Sequence, residues 1–193
     1  MTSVKEQVTG TYAKALARQG IAALARDHRH FGESGGTPRQ YERWDRKVGD
    51  LRAAVEALAN DPLVDPDRIG LVGVCLGSGY AAHAAVANPK VRALGLIAGS
   101  YRDPGEMRKR DPQGFAAKIA QGVGARKAHE VDGSAETVLA ASLAGDAAMT
   151  TFDTVYYYTR RAASASRPQP GAWSWQNLDM GSAIIFHIVP SQE

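Results

Sequence analysis

The stretch Ile69-Gly-Leu-Val-Gly-Val-Cys-Leu-Gly-Ser-Gly79 decides how this chain is read. It is a short apolar strand running into a tight glycine turn, with one thiol at the apex. Gly73-Val74-Cys75-Leu76-Gly77 fits a G-x-nucleophile-x-G turn, with cysteine where serine is more usual. The apex residue of such a turn is held in a strained backbone conformation, so its neighbours two places away must have almost no side chain. The pattern puts Cys75 at the carboxyl end of a strand and at the amino end of a helix over Leu76 to Asn88. Helix-terminal amides and their dipole favour a thiolate there, and later an oxyanion.

Outward from this turn, strands and helices alternate. Residues 4–19 carry Val8, Tyr12, Ala15 and Leu16 on one helical face. Thr2 or Ser3 stands at the cap position, Glu6 lies three residues after Ser3 as in a capping box, and Gly20 stops the helix. Ile21-Ala-Ala-Leu-Ala25 is a continuous apolar run, as expected of a strand buried on both faces. A polar, glycine-rich turn covers 27–38. A second helix over 44–60 aligns Val48, Leu51, Val55 and Leu58. Asp61-Pro62 and Asp65-Pro66 mark the loop out of it, and a further strand is expected at Val91 to Ile97. This alternation argues for a parallel sheet with right-handed crossovers. From Tyr101 the character changes: 101–165 is alanine-rich and polar, with helical periodicity and no clear strand. Residues 164–171 read as a loop, Trp173 and Trp175 follow, and Ala183 to Val189 is a last apolar run with strand character.

Three pieces of sequence carry a family resemblance. They are Val4-Lys-Glu-Gln7 opening a helix, the turn Asp27-His-Arg-His-Phe-Gly-Glu-Ser-Gly-Gly36, and the Asp65-Pro-Asp-Arg-Ile-Gly70 lead into the elbow strand. With them, the chain resembles the α/β-hydrolases, and most closely the dienelactone hydrolase-like branch that carries cysteine at the elbow. The resemblance spans residues 2–110. It implies an α/β fold: a partial α/β-hydrolase, a parallel sheet flanked by helices, with a helical cap insertion. The implied organisation is a core over 1–100, a helical cap region over 101–180, and a strand and tail over 181–193.

Composition narrows the classes. The chain has 193 residues, 44% of them hydrophobic, enough for one domain with a real core. The net charge of +3 is spread along the chain, and Met107-Arg-Lys-Arg110 reads as a solvated helix end, so no nucleic-acid partner is expected. The single cysteine excludes an internal disulfide framework and suits a reducing cytosol. With no apolar leader at the start and no run near the ~18 apolar residues of a membrane span, no membrane partner is expected and the location is read as cytoplasmic.

The candidate chemistry centres on Cys75, which would attack an acyl carbon as thiolate and form an acyl-enzyme that water resolves. The backbone N–H of Leu76, the residue after the nucleophile, is one expected oxyanion donor. The resemblance places the second near Thr2, Ser3 or Val4, and implies a thiol-activating role for a glutamate on this side of the site, carried here to Glu33. His30 stands where the family has glycine and either faces the site or is a surface imidazole. Asp27 and Arg29, two apart at a strand end, read as an ion pair that pins the turn. His83 lies over two helical turns from Cys75, ~12 Å of rise, and is no base. His129 reads as solvated, and His187 as a satisfied strand histidine. No spacing suggests zinc, and Gly73, Gly77 and Gly79 miss the dinucleotide pattern, so neither metal nor cofactor is expected.

Two family elements have no counterpart. The acid and histidine that follow the cap find no recognisable segment before Glu193. A strand that precedes the first helix, and lies between the strands at 21–26 and 69–74, is also missing. Residues 183–189, or another chain, can fill that slot, and the alternative is a fragment of a longer product. The leading expectation is hydrolysis of a small ester or lactone through a Cys75 acyl-enzyme, impaired by the missing segment. The alternative is an inactive relative serving as a binding module, with homo-oligomerisation through an open sheet edge. Acyl or peptide transfer on the same scaffold stays open.

Overall fold

In a computed structural model of the chain, the described residues are 4–86, 88–101, 103–134, 138–144 and 147–158, together with the backbone of 174–175 and 182–187. The apolar run before the thiol is strand β2 (Ile69–Val74), buried along nearly its whole length. It pairs in parallel with β3 (Val91–Ile97). Helix α3 (Gly77–Val86) returns the chain between them. Upstream lie α1 (Val8–Ala17), β1 (Ala22–Leu24) and α2 (Trp44–Ala59), and a single 3-10 turn (Pro66–Arg68) leads into β2.

The run 21–25, expected to be buried on both faces, is only half-buried and pairs on one side, with β7 (Ser182–His187). The order is β1-β7-β2-β3, so β7 lies between β1 and β2. Its register is antiparallel to both, with Leu24 and Leu71 each opposite Ile185. The sheet is therefore mixed: β1, β2 and β3 run one way and β7 runs against them. Hydrogen bonding explains how a reversed strand fits, since a two-sided gap is satisfied by backbone in either direction.

Strand alternation assigns the two faces. Ile69 and Leu71 face α2 and α3, where they meet Val48, Leu51, Val55, Leu76, Tyr80 and Ala81. Val72 faces the other way, against Tyr12 and Leu16 of α1, with Ala23 and Ile97. The periodic stripes of α1 and α2 are thus the faces that cover the sheet. Beyond the core, α4 (Pro104–Arg110) and α5 (Pro112–Asp132) start on Asp-Pro steps. Asp103 and Asp111 accept hydrogen bonds from first-turn N–H groups, and Pro104 and Pro112 follow at positions whose N–H would be unpaired anyway. The region expected to lack strands contains β4 (Val138–Ala141) and β5 (Ala147–Met149), paired in parallel, followed by α6 (Phe152–Tyr156). Strand β6 (Ser174–Trp175) joins β4 antiparallel. Strands this short leave too few residues for period-2 alternation to register in sequence. Trp173, residues 164–171 and residues 188–193 lie outside the described residues. Among the described residues no helix is long and apolar enough to cross a membrane.

One buried ionic cluster ties the layers together. Lys47 of α2 holds Glu42 at 2.7 Å, and both side chains are almost wholly buried. Tyr80 of α3 donates to the same carboxylate at 3.0 Å, and the Lys47 ammonium lies 4.2 Å from the centre of the Phe31 ring. Burial opposes the Glu42 charge, but the Lys47 ammonium prevails and holds the carboxyl below its ordinary range. Removing one partner of such a pair leaves a buried uncompensated charge. Lys47→Met is expected to lower stability by about 3–5 kcal/mol, measured by urea unfolding. Lys47→Met with Glu42→Gln should recover much of that loss, which a purely packing-based role for Lys47 would not allow.

Candidate active site

Cys75 has φ of 57°, in the left-handed region that only the turn can impose on a non-glycine residue. The surroundings show how. Its N–H donates to the Ile97 carbonyl at 3.0 Å, and its own carbonyl accepts from Ser78 N–H at 3.0 Å and Ser100 N–H at 3.1 Å. Ser78 is fully buried and its hydroxyl donates to the Gly73 carbonyl at 3.0 Å. The glycine at 73 is obligatory: a Cβ there would lie 2.3 Å from the Gly77 carbonyl oxygen. The tight strand-to-helix turn read from the sequence is therefore formed, with the thiol half-buried at its apex. The Leu76 N–H, at the start of α3, makes no hydrogen bond among the described residues. Sγ likewise makes none among them.

The turn after β1 stands at the same end of the sheet. Asp27 is its hub. Its carboxylate accepts from Lys5 N–H at 2.8 Å, Lys5 Nζ at 3.0 Å and Glu33 N–H at 3.0 Å. Its carbonyl accepts from the Ser34 hydroxyl at 2.9 Å. Gly32 has φ of 50°, and a Cβ there would fall 2.2 Å from the Asp27 carboxyl carbon. The expected Asp27–Arg29 pair is not formed. Arg29 Nε and N–H instead donate to Asp50 of α2, at 2.6 and 3.0 Å. The reason is local: Phe31 N–H bonds the His28 carbonyl, so the chain turns at once and strand alternation no longer puts positions 27 and 29 on one side.

The remaining candidates fall as follows. Glu33 carries a carboxylate 64% exposed, bonded to Lys5 Nζ at 2.6 Å. That bond comes first in raising the Lys5 ammonium above its ordinary range. His30 is buried inside the turn, with Nδ1 donating to the Pro38 carbonyl at 3.0 Å and Nε2 accepting from Arg46 at 2.8 Å. Both ring nitrogens are thus engaged in holding the turn. Val4 is buried, and its N–H donates to the Gln7 side-chain oxygen at 3.0 Å. Gln7 itself is only 3% exposed, and its Nε2 has no hydrogen-bond partner among the described residues. Nothing in the sequence singles out Gln7 beyond its place in Val4-Lys-Glu-Gln7. Thr2 and Ser3 lie outside the described residues.

Among the described residues no histidine is bonded to Cys75. His187 pairs with Ile69, while Ser182 pairs with Val74. At roughly 3.3 Å per residue, His187 sits at the far end of the strand from the thiol. His28 is buried and its Nδ1 meets Asp50 at 3.3 Å. Among the described residues no group of three or more His, Cys, Asp or Glu side chains is placed to hold a metal ion.

Comparison with known proteins settles the family. The profile matching residues 6–144 is described as "Serine aminopeptidase, S33". The chain belongs to this S33 family of α/β-hydrolases. Among curated relatives, the uncharacterised protein YcjY of Escherichia coli is 44% identical over 94 residues, which is 49% of this chain and 31% of YcjY. Thiohydrolase AneE of Aspergillus aculeatus is 35% identical over 105 residues, 52% of this chain and 33% of AneE. The solved structure of PA2218 from Pseudomonas aeruginosa superposes with a TM-score of 0.71 at 27% identity, covering 90% of this chain and 56% of that one. The α/β hydrolase GrgF from Penicillium, at 22% identity and a TM-score of 0.67, shares the fold. The chain therefore spans only 31% and 33% of those curated relatives' lengths.

The His28–Asp50 pair generates a pH dependence. Burial pushes the His28 imidazole down to about 4, and the Lys47 and Arg26 charges add to the effect against the Asp50 hydrogen bond. Asp50 stays ionised in this range, its carboxyl held at about 2 by His28 and Arg29 in spite of burial. Between the ordinary histidine value and the folded one, the unfolded chain takes up a proton that the folded chain refuses. Stability contributed by this group is therefore present at neutral pH and falls as the pH drops from about 6.5 to about 4, by on the order of 3 kcal/mol in total. Urea unfolding at pH 7 and pH 4.5 should show a loss that is markedly smaller in His28→Asn.

Proposed function

We propose that this α/β-hydrolase performs acyl transfer through Cys75, on a small ester, lactone or thioester. The observation that carries the reading is the strained backbone of Cys75, fixed by hydrogen bonds on both of its peptide groups at the end of the central strands. A thiol held there attacks a carbonyl carbon, forming a C–S bond as the leaving oxygen or sulfur departs with a proton, and water then releases the acid. Leu76 N–H is the first oxyanion donor in this reading. The second comes from the start of α1. There the Val4 N–H is committed to Gln7, so the free buried Gln7 Nε2 is assigned the role instead. Glu33 acts on the thiol only through a movement that frees it from Lys5. The names of two relatives, thiohydrolase AneE and the acyltransferase DrtE of Aspergillus calidoustus, support a thioester as the acyl donor.

A second reading is favoured by one observation. With no histidine bonded to Cys75 among the described residues, the thiol can be acylated yet lack the base that activates water. The chain would then act as a binding module that retains an acyl group or ligand. Stopped-flow measurement with an activated acetate ester separates the two. A stoichiometric burst that is lost in Cys75→Ala supports the acyl-enzyme. Continued turnover after it supports the hydrolase, and a stalled burst supports the module. Gln7→Leu is expected to slow the burst about 100-fold, the cost of one oxyanion donor. A folded parent with no burst overturns the acyl-transfer reading.

A further inference from the structure

The loop after β3 is bound to the nucleophile residue itself. Ile97 accepts the Cys75 N–H and Ser100 donates to the Cys75 carbonyl, at 3.0 and 3.1 Å. To make both bonds the chain reverses within a few residues, and Ala98 takes φ of 45°, a strained value for a residue with a side chain. The reversal delivers Tyr101 one residue beyond the Ser100 bond. Its ring folds back onto Gly99, where a Cβ would lie 2.5 Å from the phenol oxygen and 2.6 Å from Cζ. A side chain at position 99 would therefore push the ring off this seat. Tyr101 is nevertheless 59% exposed, and among the described residues its ring makes no aromatic or cation contact and its hydroxyl no hydrogen bond. A large amphipathic ring thus follows directly on the residue bonded to the Cys75 carbonyl, with one side seated on the Gly99 backbone and more than half of its surface open. Aromatic rings in such positions bury apolar ligand surface at low entropic cost.

We infer that Tyr101 is the specificity-determining wall of the Cys75 site, favouring aryl or longer alkyl groups over acetyl, and that Gly99 is the seat that positions it. The inference rests on Cys75 as the reacting group, but its test needs no turnover. The chain has a single cysteine, so the mass of a maleimide adduct reports Cys75 alone. Rates are compared for N-benzylmaleimide and N-methylmaleimide, each normalised to glutathione. In the parent, the benzyl reagent should be preferred about tenfold beyond glutathione, the scale of one well-buried ring face. Tyr101→Ala and Gly99→Val should each bring the benzyl-to-methyl rate ratio down to that of glutathione, and Tyr101→Leu should retain most of the preference. A parent with no benzyl preference, a preference that survives in Tyr101→Ala, or a folded parent whose Cys75 reacts with neither reagent overturns the inference. The absence of an acyl burst defeats the acyl-transfer reading and leaves this ratio measurable.

Discussion

The structure depends on one residue being held where it would not choose to be. Cys75 occupies left-handed backbone space at a cost of order 1–3 kcal/mol, and β2, β3 and α3 all contribute to keeping it there. The Ile97 carbonyl ends β3 on the Cys75 N–H. Ser78, in the first turn of α3, bonds back to Gly73 and to Cys75. Gly73 lets the helix start pass within contact distance of the strand. The consequence is a thiol presented at a strand end beside the Leu76 N–H, which is unpaired among the described residues, a geometry that no isolated turn would keep.

A second set of interactions fixes what surrounds that thiol. The turn after β1 contains few apolar side chains, so it is built from charge. Asp27 collects donors from Lys5 and Glu33, and Asp50 collects them from Arg29 and His28. The Glu42–Lys47 pair joins the end of this turn to α2 and, through Tyr80, to the helix that begins at the elbow. Polar clusters of this kind are costly when half-made and specifying when complete. They define where the turn lies relative to the sheet more sharply than hydrophobic contact would.

The sequence made the strand and the tight turn at Cys75 legible because their requirements are local: an apolar run, then glycines two places either side of the apex. Helices α1 and α2 were legible through periodicity, and the family follows from the same residues. What escaped it depends on which groups meet across the fold. Asp27 and Arg29 sit two apart in sequence, yet choose Lys5 and Asp50, because an immediate turn separates them. The Val4 N–H is consumed by a side chain three residues on, a bond that depends on the exact rotamer of Gln7. The segment 183–189 was one of two ways to fill the gap between β1 and β2, but nothing in its composition states a direction. The short strands β4 and β5 fell below the length at which a pattern can be seen.

The reversed strand β7 has a kinetic meaning as well. It is hydrogen-bonded to residues 22–24 on one side and 69–74 on the other, while itself spanning 182–187. The middle of the sheet is therefore stitched by contacts among the most distant in sequence that the chain makes. Local elements such as α2, α3 and the β2–β3 pair can condense early, because their loop-closure entropy is small. The β1–β7–β2 ladder must wait for a long closure. On loop-closure grounds, insertion of this late strand between β1 and β2 is the expected slow step in folding, and it is the step that covers their facing edges.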